Sequence, residues 1–437
     1  MDGDHVVTAF LRDRGEVLLV RRSDAVGTYR GRWGGVSGYV EGDPDDALDD
    51  ARREVREEAG VETSALTLVR AGETVAVDDE EGSFLVHPFL FDCASREVCR
   101  NEELAAHEWV QPTAMPGRRT VPKLWAAYRA VGPTVASVRD DRTHGSAYVS
   151  VRALETLRDT AADAAIAGDP WESVADTARA LRDARPGMTA LSTRVNRVMS
   201  EAYRTPAAVR DRAVAAVETA VEADDRAAGA VRDLLSGTVL TLSRSGTVSA
   251  ALDGHDGAVL VAVSDPGGEG RGVATRLAGA DREVTLLPDS AVAAALAERD
   301  VDAALVGADA VLPDGSVANK VGTRGLALAA AREGVPTYAV TARDKVRGSE
   351  GFDPGSAAGE FDAPEGVGAF APLFDRTPAD LVTVVTEDGP LDAAAVGAVA
   401  ADHRALAAWD DAGSGDADGT ADPDGSGDAD PDERSGE

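Results

Sequence analysis

The chain of 437 residues has almost no lysine: Lys123, Lys320 and Lys345 are the full set, and every other basic side chain is arginine. Cysteine is limited to Cys93 and Cys99, and aromatic residues make up 4%. Two thiols without ligand-like spacing argue against a disulfide scaffold or a cysteine-built metal centre, and fit a reducing compartment. No uninterrupted apolar run reaches the ~20 residues that a membrane-spanning helix needs. The opening MDGDHVVTAF lacks a basic segment followed by an apolar one. The expectation is a soluble cytoplasmic protein without a membrane partner.

Acid is abundant. Asp and Glu number 77 against 44 Lys and Arg, giving a net charge of −33. Such a surface repels phosphate backbones and anionic lipids, so direct nucleic-acid binding is not expected. An acid-rich, lysine-poor composition along the whole chain reads as halophilic adaptation, because salt screens the self-repulsion.

Hydrophobic periodicity divides the chain. Residues 1–132 mix strands such as HVVTAFL, EVLLVRR and SFLVHPFLF with two helical runs, an α+β pattern. GPTVASVRDDRTHG reads as a junction. Residues 134–235 are almost wholly helical, with apolar residues three and four apart, the pattern of a helical bundle. Residues 236–409 alternate β-branched runs (TVLTLS, AVLVAVSD, EVTLLPD, AALVGAD, TYAVTA, LVTVVTE) with helices, which predicts an α/β Rossmann-like parallel sheet. Residues 410–437 are Asp, Gly, Ser and Ala and bury no core, so a disordered acidic tail is expected.

The segment PDDALDDARREVREEAGV, residues 44–61, predicts a helix opened by Asp43 and Pro44 and stopped by Gly60. Leu48, Ala51, Val55 and Ala59 form its apolar stripe. Asp50, Glu54 and Glu58 fall at i, i+4 positions with Glu57 beside them, a row of like charges with no base within it. Glu54, Glu57 and Glu58 project from a face expected to stay near solvent. Oxygen ligands at this density suit Mg²⁺ or Mn²⁺. On the carboxylates alone, an acid-rich helix in an acid-rich chain is an equal reading.

Gly38, the Arg53-Glu54 step, Glu57-Glu58 and the closing Gly60-Val61 together resemble the box of the Nudix hydrolase family, over residues 5–130. The resemblance implies Mg²⁺-dependent attack of water on a nucleoside diphosphate derivative. Glu54, Glu57 and Glu58 match the catalytic, metal-binding glutamates, and Gly38, Arg53 and Gly60 match structural positions. Two departures stand: Asp45 replaces an expected glutamate, and it lies one residue further from Gly38 than the family pattern. The alternative is a sensor of the same shape that binds without hydrolysis. Trp33 in RGRWGG is a candidate base-stacking residue or a packing residue.

In the last region several strands end on polar residues: Ser243, then Ser264-Asp265, then Asp309. Open parallel sheets bind ligands at such ends. Asn319 and Lys320 precede a helix marked by Gly322 and Thr323, where backbone amides and a lysine suit a phosphate. TLSRSGTV, GADAVLPDGSVANKVGTRGLALAA, GVPTYAVTARDK, LFDRTPADLVT and the upstream RPGMTALSTRVNRVM resemble the α/β/δ regulatory subunits of the translation initiation factor 2B family, over residues 134–408. That family is similar to sugar-phosphate isomerases acting on methylthioribose 1-phosphate and ribose 1,5-bisphosphate. The resemblance makes Asp309 the catalytic aspartate, with Ser243, Ser245, Gly246, Asp309, Asn319 and Lys320 as the substrate-binding set. Ser243 stands where the isomerases place a cysteine, and Asp265 where they place an anion-binding arginine. These changes favour a regulatory module that binds a sugar phosphate or nucleotide and forms a homo-oligomer. A working ribose-1,5-bisphosphate-type isomerase is the alternative.

Overall fold

The computed structural model describes residues 3–279, 282–359 and 363–410. The expected tail from 411 to 437 lies outside the described residues. Asp410, assigned to that tail, belongs to the fold: it accepts from Arg179 Nε at 2.7 Å and is also held by Arg182.

Strands β1 (Asp4–Asp13), β2 (Glu16–Arg22), β3 (Trp33–Gly34), β4 (Val36–Tyr39), β5 (Leu66–Ala71), β6 (Val75–Asp79), β7 (Gly82–Cys93) and β8 (Leu104–Val110) form one mixed sheet. The pairs are antiparallel except β1 with β7. Side chains alternate faces along a strand. Val7, Ala9 and Leu11 therefore meet helix α1 (Ala47–Ala59), while Phe10 turns to helix α2 (Leu124–Val131) and its Leu124, Tyr128 and Val131. Both faces are covered, which explains why HVVTAFL and EVLLVRR are apolar at nearly every position.

Helices α3 (Val135–Asp140), α4 (Ser146–Ala167), α5 (Trp171–Ala184), α6 (Thr189–Glu201) and α7 (Pro206–Arg232) follow. The expected junction is half helix, because Thr134 and Ser137 form a reciprocal capping box at the start of α3. Thr205 caps α7 and Pro206 occupies its first position. At about 40 Å, α7 reaches from the helical core, through Val209, Ala213 and Val217, to the next sheet, through Ala227, Ala228 and Val231.

That sheet contains β9 (Val239–Leu242), β10 (Val259–Ala262), β11 (Val284–Leu287) and β12 (Ala303–Val306), crossed by α8 (Gly246–Asp253), α9 (Gly270–Ala278) and α10 (Val292–Glu298). A small antiparallel sheet follows, of β13 (Ala310–Val311), β14 (Val317–Lys320) and, beyond α11 (Thr323–Glu333) and β15 (Thr337–Val340), β16 (Phe374–Thr377). The chain then adds β17 (Thr383–Thr386), β18 (Gly389–Leu391) and α12 (Ala393–Leu406). The main order is β11-β10-β9-β12-β15-β17-β18, parallel except for β18. The order reverses between β9 and β12, so the loops leaving those two strands part and open a crevice at their carboxyl ends.

Candidate functional site

Asp43 accepts from Asp45 N to cap the turn at Pro44–Asp46, and α1 ends at Gly60, whose φ of 66° permits the left-handed stop. Ala51, Val55 and Ala59 are fully buried, whereas Leu48 is only partly covered. The glutamates do not share one exposed face. Glu57 is half-exposed, Glu54 is largely covered and Glu58 is 3% exposed, because α1 packs against strand β4, with Gly38 beside Glu54 and Ser37 beside Glu58. A base also stands among the carboxylates: Arg53 lies 2.9 Å from both Asp50 and Glu54, 3.5 Å from Glu41 and 3.6 Å from Glu57. Arg53 is therefore the cation that offsets the acidic row here, through its reach rather than its position in the row.

Gly38 has a steric reason. A Cβ on it would fall 2.1 Å from Glu54 Cδ and Oε1. Among the described residues Glu58 accepts only from Ser37 N, at 3.4 Å. Burial first, then the charges of Glu54 and Glu103, push its carboxyl up to about 8 against the weaker pull of Ser37 N–H and Arg22. Glu54 is raised as well, mainly by burial and opposed by Arg53. Glu103 lies far along the chain and its bearing on both glutamates depends on the tertiary fold. Among the described residues no group of three or more His, Cys, Asp or Glu is gathered closely enough to hold a metal. Glu54 and Glu58 still fit one by their chemistry: two crowded carboxyls, all-oxygen, one nearly unpaired and withheld from ionisation.

A solvent-open cleft of about 540 Å³ adjoins this helix, lined by Arg22, Tyr29, Gly38, Tyr39, Phe84 and Val121 among others. Tyr29 and Phe84 lie with ring centroids 5.9 Å apart. Trp33 is not in that lining; it packs beside the α2 core and carries the Arg118 guanidinium 5.1 Å from its ring. Tyr29 and Phe84 were not signalled by the sequence, since one sits in a loop and the other in a strand paired elsewhere.

The second set converges at the β9–β12 crevice. Ser243 and Ser264 follow adjacent strands with φ of +60° and +69°, a costly region for non-glycine residues that is often found at functional sites. Ser243 N donates to Ser264 Oγ at 2.6 Å. Ser245 caps α8, ahead of Gly246, by accepting from Val248 N. A Cβ on Gly307 would come within 2.9 Å of the Ser245 side chain and 3.9 Å of Asn319 Oδ1. Asp309 N donates to Ala318 O, which sets Asp309 beside the strand carrying Asn319 and Lys320. Burial raises the Asp309 carboxyl, opposed by Lys345 and then Lys320. Lys345 donates to Ala308 O at 2.7 Å and is lowered by burial, against Asp224 and Asp309. Two of the three lysines therefore sit buried at one site; Lys345 was legible as a rarity but not as a neighbour of Asp309.

Asn319 and Lys320 are strand residues, because β14 pairs with β16, and both are buried. Their polar groups are already engaged. Asn319 Nδ2 donates to Thr323 Oγ1 at 2.9 Å, and Lys320 Nζ pairs with Glu269 Oε1 at 2.9 Å. The start of α11 is similarly occupied: Gly322 N and Arg324 N donate to the Asp375 carboxylate. Ser264 N and Asp265 N donate to Asp289 at 2.8 and 2.7 Å. The chain's own carboxylates thus fill donors that the sequence pattern offers to a phosphate.

The NUDIX domain model matches residues 2–132, and the initiation factor 2 subunit family model matches residues 142–393. A probable bifunctional methylthioribose-1-phosphate isomerase/methylthioribulose-1-phosphate dehydratase of Nocardia farcinica is 47% identical over 120 residues, 23% of this chain and 21% of that protein. The chain thus spans about a fifth of that relative's length. The methylthioribose-1-phosphate isomerase of Gemmatimonas aurantiaca is 32% identical over 244 residues, 48% of this chain and 69% of that protein. The crystal structure of 5-methylthioribose 1-phosphate isomerase from Pyrococcus horikoshii aligns with a TM-score of 0.49 at 19% identity, covering 70% of this chain and 90% of that one. Among the described residues no helix is long and apolar enough to cross a membrane. With a Nudix domain, the mark of a hydrolase, in front, the chain belongs to the initiation factor 2 subunit family.

Proposed function

We propose that residues 1–132 form a Mg²⁺- or Mn²⁺-dependent hydrolase of a nucleoside diphosphate derivative, with Glu54, Glu57 and Glu58 as its metal-binding carboxylates. The observation that carries this reading is Glu58, buried beside Glu54 and raised to about 8 with one weak donor. A dication would stabilise its ionised form. When bound, the metal supplies charge neutralisation on the diphosphate and a more acidic water. Arg22 reaches into the cleft for phosphate oxygens, Tyr29 and Phe84 give the nucleobase an apolar wall, and Glu103 is the carboxylate assigned to receive a proton. Gly38 and Gly60 shape the helix ends, and Arg53 holds Glu54 and Glu57. Turnover of nucleoside diphosphate derivatives with Mg²⁺ tests the assignment, comparing wild type with Glu57→Gln. Equal rates would exclude the metal centre, and metal-dependent binding without turnover would make the domain a sensor.

Residues 134–235 and 236–409 are proposed to act together as a regulatory module that takes a sugar phosphate or nucleotide at Ser243, Ser245, Gly246, Asp309, Asn319 and Lys320, within a homo-oligomer. Ser243 supports the regulatory reading because a hydroxyl is a far weaker acid than a thiol. The carboxylates of Glu269, Asp289 and Asp375 already hold Lys320 and nearby backbone donors, so a phosphate must displace them under either reading. One observation favours the isomerase alternative: Asp309 is a half-buried carboxyl raised by desolvation and under the charge of two buried lysines, Lys345 and Lys320, a poised proton carrier. The relatives named as methylthioribose-1-phosphate isomerases point the same way. Isomerisation of ribose 1,5-bisphosphate and methylthioribose 1-phosphate, with Asp309→Asn as control, separates the two. Activity lost in the variant establishes the isomerase.

A further inference from the structure

A solvent-open cavity of about 1160 Å³ lies where the first sheet meets the helical region. Its walls come from β5, from Arg12 and Asp92 near the ends of β1 and β7, from residues 131–133, from the α3–α4 loop, and from Tyr148 and Arg152 of α4. None of the residues assigned to the two sites above lines it.

Four arginines face this space: Arg12, Arg70, Arg142 and Arg152. In a chain with 77 acids against 44 bases, a guanidinium readily finds a carboxylate, yet three of these four make no hydrogen bond to one among the described residues. Arg70 donates to Gly132 O at 3.2 Å, and Arg142 donates to Arg139 O at 3.0 Å. Arg152 has Nε and Nη1 buried without a hydrogen-bond partner; Nη1 lies 3.0 Å from Glu155 Oε2 but out of alignment. Arg12 does have partners, in Asp92, Glu155 and the Tyr148 hydroxyl. Burial and then the Arg12 charge lower both Arg70 and Arg152, opposed at Arg152 by Glu155, Tyr148 and Asp92, so Arg70 is the guanidinium with no offsetting carboxylate among the described residues.

The frame around them is preset. Tyr148 stacks on His144 at 4.0 Å and lies 4.8 Å from the Arg152 guanidinium, and its hydroxyl binds both Arg12 and Asp92. The acids of the wall are largely committed: Asp92 to Arg12 and Tyr148, and Asp141 to Thr143 and His144. Asp140 stays exposed at the end of α3. Planar guanidiniums approaching from a strand, a loop and a helix match the spread of oxygens on a tetrahedral dianion better than the single plane of a carboxylate.

We propose that this cavity binds a small phosphate-bearing metabolite, through its phosphoryl oxygens, on Arg70 and Arg152 with Arg12 and Arg142 beside them. The wall is also tied to the β9–β12 crevice, because Arg244 donates to Thr143 O at 2.8 Å.

The test is calorimetric titration of the full chain with inorganic phosphate and with pyrophosphate, with chelator present so that divalent-dependent binding at α1 is silent. Saturable uptake of either probe is expected. Arg70→Gln and Arg152→Gln should each weaken it about tenfold or more, the scale of one lost charge-assisted hydrogen bond, and Arg70→Lys should retain part of it. Tighter binding of pyrophosphate identifies a diphosphate-sized ligand, and equal binding a monophosphate. No saturable uptake in wild type, or wild-type affinity in Arg70→Gln, overturns the proposal. Arg70→Gln decides the matter if Arg152→Gln misfolds, since Arg70 sits at a strand edge with one hydrogen bond to a loop carbonyl.

Discussion

Arg12 Nη1 lies 3.3 Å from Glu155 Oε2, so a strand of the Nudix domain and a helix of the following region share an ion pair in which both side chains are 2% exposed or less. The seam continues in the same style. Arg158 donates to Gly15 O and Gln111 Oε1, both at 2.8 Å, Tyr128 donates to Asp159, and Trp125 and Arg129 donate to Asp163. Charged and polar groups, oriented by one another, join the two units here.

Such a seam is expensive to break from one side. Arg12→Met leaves Glu155 with only Arg152 at 3.0 Å and Asp92 with only the Tyr148 hydroxyl, and should cost about 3 kcal/mol, the lower end for breaking a buried pair. Adding Glu155→Gln removes one of the stranded charges, so the double variant should lose less than the sum of the single losses. Urea denaturation measures all three. Simple additivity would mean that the pair is not coupled.

Glu58 predicts a pH dependence with a definite sign. Its carboxyl is raised from 4.5 to about 8, so between those values the folded chain binds a proton that the unfolded chain has released. Stability then falls as pH rises through this window and levels above it, by at most on the order of 5 kcal/mol. Glu58→Gln should flatten this part of the profile, and Mg²⁺ should restore wild-type stability above pH 8. Melting temperatures in chelator and in Mg²⁺, from pH 5 to pH 9, check it. Identical pH profiles for wild type and Glu58→Gln would refute it.

Gly38→Ala tests the contact between strand β4 and α1. The new Cβ would meet Glu54 Cδ and Oε1 at 2.1 Å, the far end of a flexible side chain, so Glu54 must swing away while the fold persists. The expected result is a melting temperature within a few degrees of wild type, with metal-dependent hydrolysis reduced about a hundredfold, the scale of losing one transition-state electrostatic contact. Full activity would remove Glu54 from the site.

Local features were legible in the sequence and distant ones were not. Asp43, Pro44, the Ala51–Val55–Ala59 stripe and Gly60 define α1 within one segment, and the caps need no partner from elsewhere. The polar ends of TVLTL, AVLVAV and AALVGA also fell at the crevice, because β-branched runs specify strands and parallel strands align their carboxyl ends. What escaped depends on tertiary reach. Arg53 joins the carboxylates only because Glu41 and Glu57 come within range, and Glu103 bears on Glu58 only once its loop folds back. Asn319 and Lys320 read as residues just ahead of a helix, because the β16 partner that makes them a strand lies beyond α11 and β15. No periodicity announces that Asp289 and Asp375 will occupy backbone donors.

Glu269 offers the sharpest handle on the second site. Its Oε1 pairs with Lys320 Nζ at 2.9 Å, while its Oε2 is buried with no hydrogen-bond partner among the described residues. The carboxylate thus holds the lysine and keeps one lone oxygen without compensation, an arrangement an incoming phosphate must displace. Glu269→Gln keeps the shape, removes the charge and leaves Lys320 free to turn toward an anion. If the crevice binds a sugar phosphate, affinity for ribose 1,5-bisphosphate should rise about tenfold, since one opposing charge at a partly buried site is worth roughly 1–2 kcal/mol. The gain should shrink with added salt, as a charge effect does. Titration of wild type and Glu269→Gln at two ionic strengths reads both quantities. Unchanged affinity in the variant would show that Lys320 does not face the ligand and would leave Ser245, Gly246 and Asp309 to hold it.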